Sequence, residues 1–190
     1  MPVISMRPNR LATLALFGAA LILRGLWAWG AGYRCNPTPS LPVGLDRLAA
    51  GTPQRGEPVA ICLSGPFADL AAERGYLKPG SCPSGLRPLL KRLAGLPGDL
   101  IQVDRDGIRV TPAGSPVACL WLESRIKTVD RHGRPVVSAL TSGVIPAGSA
   151  LVLGEHPGSF DSRYFGLVPL DSLRRTVPVF VWTPKEKNHD

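Results

Sequence analysis

Histidine is scarce in this chain: His132, His156 and His189 are the only three among 190 residues. An imidazole-based metal centre therefore has few ligands to draw on, and the commonest general base has few places to stand. None of the four cysteines forms a C-x-x-C pair, which argues against a zinc site. The net charge of +8 has no Lys/Arg block behind it and no aromatic-interleaved basic strand, so nucleic acid is not the expected partner. Internal repeats and low-complexity stretches are missing, which excludes solenoid and fibrous architectures. No metal and no cofactor is expected.

Proline and glycine are plentiful, 20 and 21 residues, and point to short strands, many turns and irregular loops. Hydrophobic residues make up 44% of the chain, enough for one ordinary core. The first firm signal is N-terminal. Arg7 and Arg10 precede the apolar run LATLALFGAALIL, a basic region followed by a hydrophobic one. The run becomes long enough to span a bilayer if it extends to Tyr33 and Arg24 snorkels, with Trp27, Trp29 and Tyr33 at the interface. Cleavage near residues 28–32 is the alternative. In both cases the chain beyond Tyr33 is exported. The expected organisation is a signal or anchor segment over 1–33, one domain over 34–184, and a frayed charged tail over 185–190.

In an exported domain cysteines pair by default. Four allow three pairings; Cys62–Cys82, which flanks one excursion, is favoured, while Cys35 and Cys119 pair or stay free. Strands are expected at RGEPVAICLSG, along RPLLKRLAG and again at 100–103, at 150–153 and along RRTVPVFVWTP. Asp106-Gly107 marks a hairpin and DRHGRP an exposed turn. PFADLAAERGYL reads as a short helix, with Pro66 in its first turn and Gly75 closing it. The fold is therefore mainly β, with short helices and an irregular inserted segment.

Two stretches carry chemistry. CNPTPSLPVG places Ser40 among three prolines, which restrict their own φ and that of their predecessors. An extended form of this loop points Thr38 and Ser40 the same way. Lys91 lies in PLLKRLAGLPGD among leucines. Facing the core, it would tend to lose its proton and become a base; at a strand edge it would hold its head in water. A Ser40–His156–Asp161 set is a second arrangement, although no G-x-S-x-G elbow surrounds Ser40.

LKRLAGLPGD resembles the lysine motif of type I signal peptidases, and SFDSRYFG resembles their third motif. NPTPSLPVG is similar to their nucleophile motif, most closely in the branch of conjugal-transfer TraF peptidases, as are RGYLKPGSCPSG and DRHGRP. The motifs stand in the family's order behind a membrane-targeting segment, and the resemblance runs over about residues 34–183. It implies a signal-peptidase-like β fold, Ser40 as nucleophile and Lys91 as general base. Thr38 and the Ser40 N–H would form the oxyanion hole, Ser159 would orient the lysine, and Asp161 and Arg163 would pair structurally near the site. It also implies a periplasmic location at the outer surface of the inner membrane and a substrate there, the membrane-inserted pilin precursor of a mating-pair apparatus, cut hydrolytically or with cyclisation. Other apparatus proteins are possible partners. Thr at 38 and Leu at 41 depart from the commoner Ser and Met of bacterial signal peptidases, which favours the conjugal branch over a general signal peptidase. A non-enzymatic assembly protein would have lost the serine or the lysine; both are present.

Overall fold

The computed structural model describes residues 9–121 and 124–182; the leader at Arg7 and the charged tail lie outside the described residues. Helix α1 runs from Arg10 to Gly30, with the Asn9 side chain accepting from Leu11 N. At 1.5 Å per residue it is about 31 Å long, the thickness of a bilayer's hydrocarbon core. Its mean hydropathy is 1.8 and none of its residues is buried, so it is long and apolar enough to cross a membrane. The next strand, β1 (Tyr33–Asn36), grips the helix end: the Arg34 guanidinium stacks over the Trp29 ring at 3.9 Å and donates to Trp29 O.

The remainder is β-rich, as the turn-heavy composition predicts. A seven-stranded antiparallel sheet takes the order β1, β2 (Gly44–Leu48), β11 (Arg174–Val181), β3 (Pro58–Ile61), β4 (Leu89–Gly95), β9 (Ser149–Leu153), β10 (Val168–Pro169). A four-stranded sheet orders β7 (Cys119–Trp121), β6 (Ile108–Thr111), β5 (Leu100–Val103), β8 (Gly143–Val144). The inserted segment is thus less irregular than its sequence suggests, because it carries this second sheet. Helices α2 (Pro66–Glu73) and α3 (Ser162–Phe165) are short.

Strand β9 explains how the two sheets cohere. Ala150 and Val152 enter one apolar core with Val59, Leu89 and Leu93; Leu151 and Leu153 enter a second with Ile101, Ile108 and Val110. A strand buried on both faces reads as a continuous apolar run rather than an alternation. Strand β4 alternates instead. Leu89, Lys91 and Leu93 are buried while Leu90 and Arg92 are half-exposed, so the period of two sends the lysine inward.

The Cys62–Cys82 disulfide forms, closing the excursion that contains α2, and Cys35 and Cys119 are free and exposed. The expected hairpin joins β5 to β6, its turn held by Asp104 Oδ1, which accepts from the N–H groups of Asp106 and Gly107.

Candidate active site

Ser40 lies on the connection between β1 and β2, which pair from Tyr33↔Arg47 to Asn36↔Gly44. Seven residues therefore reverse the chain, and residues 38–41 bend and turn rather than run extended. The extended form expected from the prolines is not adopted, since an extended strand could not return to pair at Gly44. The turn is built on Asn36. Its Oδ1 accepts from Thr38 N at 3.2 Å and Thr38 Oγ1 at 3.0 Å; its Nδ2 donates to Leu41 O at 3.2 Å and Pro42 O at 3.1 Å. All four hydrogen-bonding positions of a buried amide are used on one loop.

From the other side of the loop, Glu155 N donates to Ser40 O at 2.8 Å. Glu155 comes after Gly154, and the glycine is required by close approach: a Cβ at 154 would sit 2.2 Å from Ser159 Oγ. Ser159 is thereby drawn up to the end of β9, between the serine loop and the lysine strand.

Three residues far apart in the sequence meet here. Lys91 Nζ donates to Ser159 Oγ at 2.9 Å, and Ser159 Oγ donates to Ser40 Oγ at 3.3 Å. Lys91 is 2% exposed, so the strand-edge alternative does not hold. Burial pushes its amine down to about 8 from the ordinary 10.5; the Asp161 carboxylate works against that shift and the Arg163 guanidinium with it.

Asp161 and Arg163 form a pair with both side chains 0% exposed. Arg163 Nε and Nη2 donate to the two carboxylate oxygens at 2.8 and 2.7 Å, and Nη2 also donates to His156 O and Ser159 O. Asp161 Oδ2 accepts from Gly154 N at 2.8 Å. The pair thus ties down the whole turn that presents Ser159. It also disposes of the Ser40–His156–Asp161 arrangement: His156 is exposed, its Nδ1 accepts from Gly158 N, and the carboxylate is committed to Arg163 and backbone. Thr38 is close in sequence to Ser40, but its hydroxyl is turned to Asn36.

Two residues of the site escaped sequence reasoning. Glu155 acts through its backbone, which no side-chain pattern announces. Asn36 had a signal: Asn two residues ahead of Thr is an Asx-turn arrangement, with the amide oxygen accepting from the second N–H on. Asn36→Ala leaves Thr38 N and two carbonyls without their partner. It should lower kcat on cleavable peptides by about 10–100-fold and stability by about 1–3 kcal/mol. Parallel kcat and urea-midpoint measurements check both, and unchanged kcat would remove Asn36 from the loop's support.

The chain is similar to known proteins along most of its length. Residues 7–182 match the family of signal peptidases, peptidase S26. The conjugal transfer protein TraF of Agrobacterium fabrum strain C58 is 34% identical over 183 residues, covering 93% of this chain and 99% of that one. A probable conjugal transfer protein TraF of Sinorhizobium fredii is 38% identical over 145 residues, covering 75% and 73%. A plasmid transfer protein TraF of Escherichia coli is 32% identical over 176 residues, covering 90% and 95%. Among solved structures, a signal peptidase I of Enterococcus faecalis V583 shares 23% identity with a TM-score of 0.36, covering 71% of this chain and all of that one. With a family match over most of its length and TraF relatives above 30% identity, this chain belongs to the signal peptidase, peptidase S26 family.

Proposed function

We propose that this peptidase is a membrane-associated serine endopeptidase with a Ser40–Lys91 dyad that matures the pilin precursor of a conjugative apparatus at the periplasmic face of the inner membrane. The observation that carries the reading is the buried Lys91 amine, bonded to Ser159, which is in turn bonded to Ser40. Neutral Lys91, aimed by Ser159, takes the Ser40 proton, and Oγ attacks the carbonyl carbon after a small residue. The Ser40 N–H and the Thr38 hydroxyl, swung from Asn36, donate to the oxyanion. The lysine ammonium then protonates the leaving amine, the peptide bond breaks, and an acyl ester on Ser40 remains. Water resolves it to a linear product; the precursor's own terminal amine would resolve it to a ring, one water lighter.

The names of the relatives support a conjugative substrate, and α1 supports membrane attachment. The test is coexpression of the full chain with a candidate pilin precursor from the same transfer system and, separately, with an ordinary secretory precursor, each product weighed by mass spectrometry. Processing of the pilin precursor after a small residue is expected. Processing of the secretory precursor alone would assign a general signal peptidase instead, and processing of neither would leave an assembly protein. The product mass separates hydrolysis from cyclisation.

A further inference from the structure

Strand β2 buries one residue, and it is a carboxylate: Asp46 is 6% exposed. Among the described residues no donor hydrogen-bonds to it. Arg34, paired with it across β1 and β2, and Arg92, which shares its pocket, hydrogen-bond elsewhere. Arg34, its register partner on β1, is held by the Trp29 ring and by Trp29 O. Arg92 Nε donates to Glu155 Oε1 at 2.6 Å and its Nη1 to Gly56 O. Asp46 therefore stands as a buried carboxylate with no hydrogen-bond donor among the described residues; the counter-charge it feels is Arg92, which it shares with Glu155. Burial raises its pKa, and Arg92 works against the rise without cancelling it.

The space it faces is a small, partly open hollow of about 100 Å³. Leu41, Pro42, Pro178 and Phe180 line it with apolar surface, and Asp46 and Arg92 are its charged members. Leu41 and Pro42 are the two residues after Ser40, and Arg92, on the face of β4 opposite to Lys91, pairs with Glu155, whose N–H holds Ser40 O. The pocket therefore adjoins the nucleophile, where a polypeptide bound for cleavage must lie. Apolar walls ending in one unpaired carboxylate suit a flexible alkyl stem with a cationic tip: the stem lies on proline, leucine and phenylalanine while the head reaches the charge. Arg92 is felt at Asp46 and opposes a cationic tip in part, while its ion pair with Glu155 offsets some of that opposition.

We infer that the Leu41–Pro42–Phe180 pocket is a specificity subsite that takes a lysine or arginine side chain of the substrate, close to the scissile bond, onto Asp46. The subsite rests on the reading of Ser40 as the nucleophile, and the experiment separates the two. Fluorescein-labelled peptides with a small residue at the scissile position carry lysine, arginine or norleucine at each flanking position in turn. Their affinities are measured by anisotropy on full-length Ser40→Ala protein in detergent, and their cleavage on the native protein. At one position lysine or arginine should bind about 10-fold more tightly than norleucine, the scale of one charge-assisted hydrogen bond. That ratio should fall to about one in Ser40→Ala/Asp46→Asn and persist in Ser40→Ala/Asp46→Glu, which keeps the charge and shows that the pocket has folded. Equal binding of lysine and norleucine at every position overturns the subsite, as does a preference that survives Asp46→Asn. Cleavage by the Ser40→Ala protein would instead overturn the nucleophile and leave the affinity ratio standing as the measure of the subsite.

Discussion

Lys91→Met abolishes cleavage while leaving the protein at least as stable as the native chain; this is the expected result, and the two halves belong together. A positioned general base contributes about 10²–10⁴-fold, and a nucleophile and base that act as a unit lose nearly everything when either is removed. Ser40→Ala should therefore cost as much as Lys91→Met, on the order of 10³-fold or more, and the double variant little beyond either. Stability moves the other way. A lysine held down to about 8 from 10.5 carries on the order of 3 kcal/mol against its charged form in the fold. Methionine fills similar space without that charge and forfeits one hydrogen bond to Ser159, worth about 1 kcal/mol. A lysine kept for structure would instead leave a less stable variant.

The same burial fixes two pH responses. The rate should climb as Lys91 loses its proton, with a midpoint near pH 8 in single-turnover measurements. The folded pKa lies below the unfolded one, so between about 8 and 10.5 the unfolded chain holds more protons and stability rises with pH. The contribution is full above the unfolded value and gone below about 8. Lys91→Met should flatten that slope in urea titrations at pH 7–10; an unchanged slope would place its origin elsewhere.

The sequence reveals most where apolar pattern and chemistry coincide. PLLKRLAG reads as a strand because it is a short apolar run, and the period of two that sets Leu89 and Leu93 inward carries Lys91 with them. The closing strand, the helix after Pro66 and the Cys62–Cys82 pair arise from equally local signals. Strand β2 was hidden because GLDRL has no apolar alternation and its one buried residue is acidic. With β2 unseen, the Ser40 loop looked like an extended tether rather than the turn of a hairpin. Strands β7 and β8, three and two residues long, are defined by their partners in the second sheet and not by a pattern of their own. The meeting of Ser40, Lys91 and Ser159 spans up to 119 positions, so no local pattern contains it. Only motif order hinted at their nearness.

The second large effect should come from Arg163→Met. Surface ion pairs contribute about 0–1 kcal/mol, but removing one partner of a buried pair costs about 3–5 kcal/mol, because a charge is left behind without its complement. Here Asp161 would keep the N–H groups of Gly154 and residue 163 and lose the guanidinium that neutralises it, while His156 O and Ser159 O would lose a donor. Arg163→Lys should recover less than half of the loss, since one ammonium cannot reproduce the planar fork that reaches both carboxylate oxygens and the two carbonyls. Activity should fall further than the folded fraction does, because Ser159 O is one of those carbonyls and the Ser159 hydroxyl accepts from Lys91. Urea midpoints and kcat corrected for folded protein separate the two effects. A proportional loss would mean that the pair supports the domain alone; a larger loss in kcat would mean that it also holds Ser159 in register with the lysine.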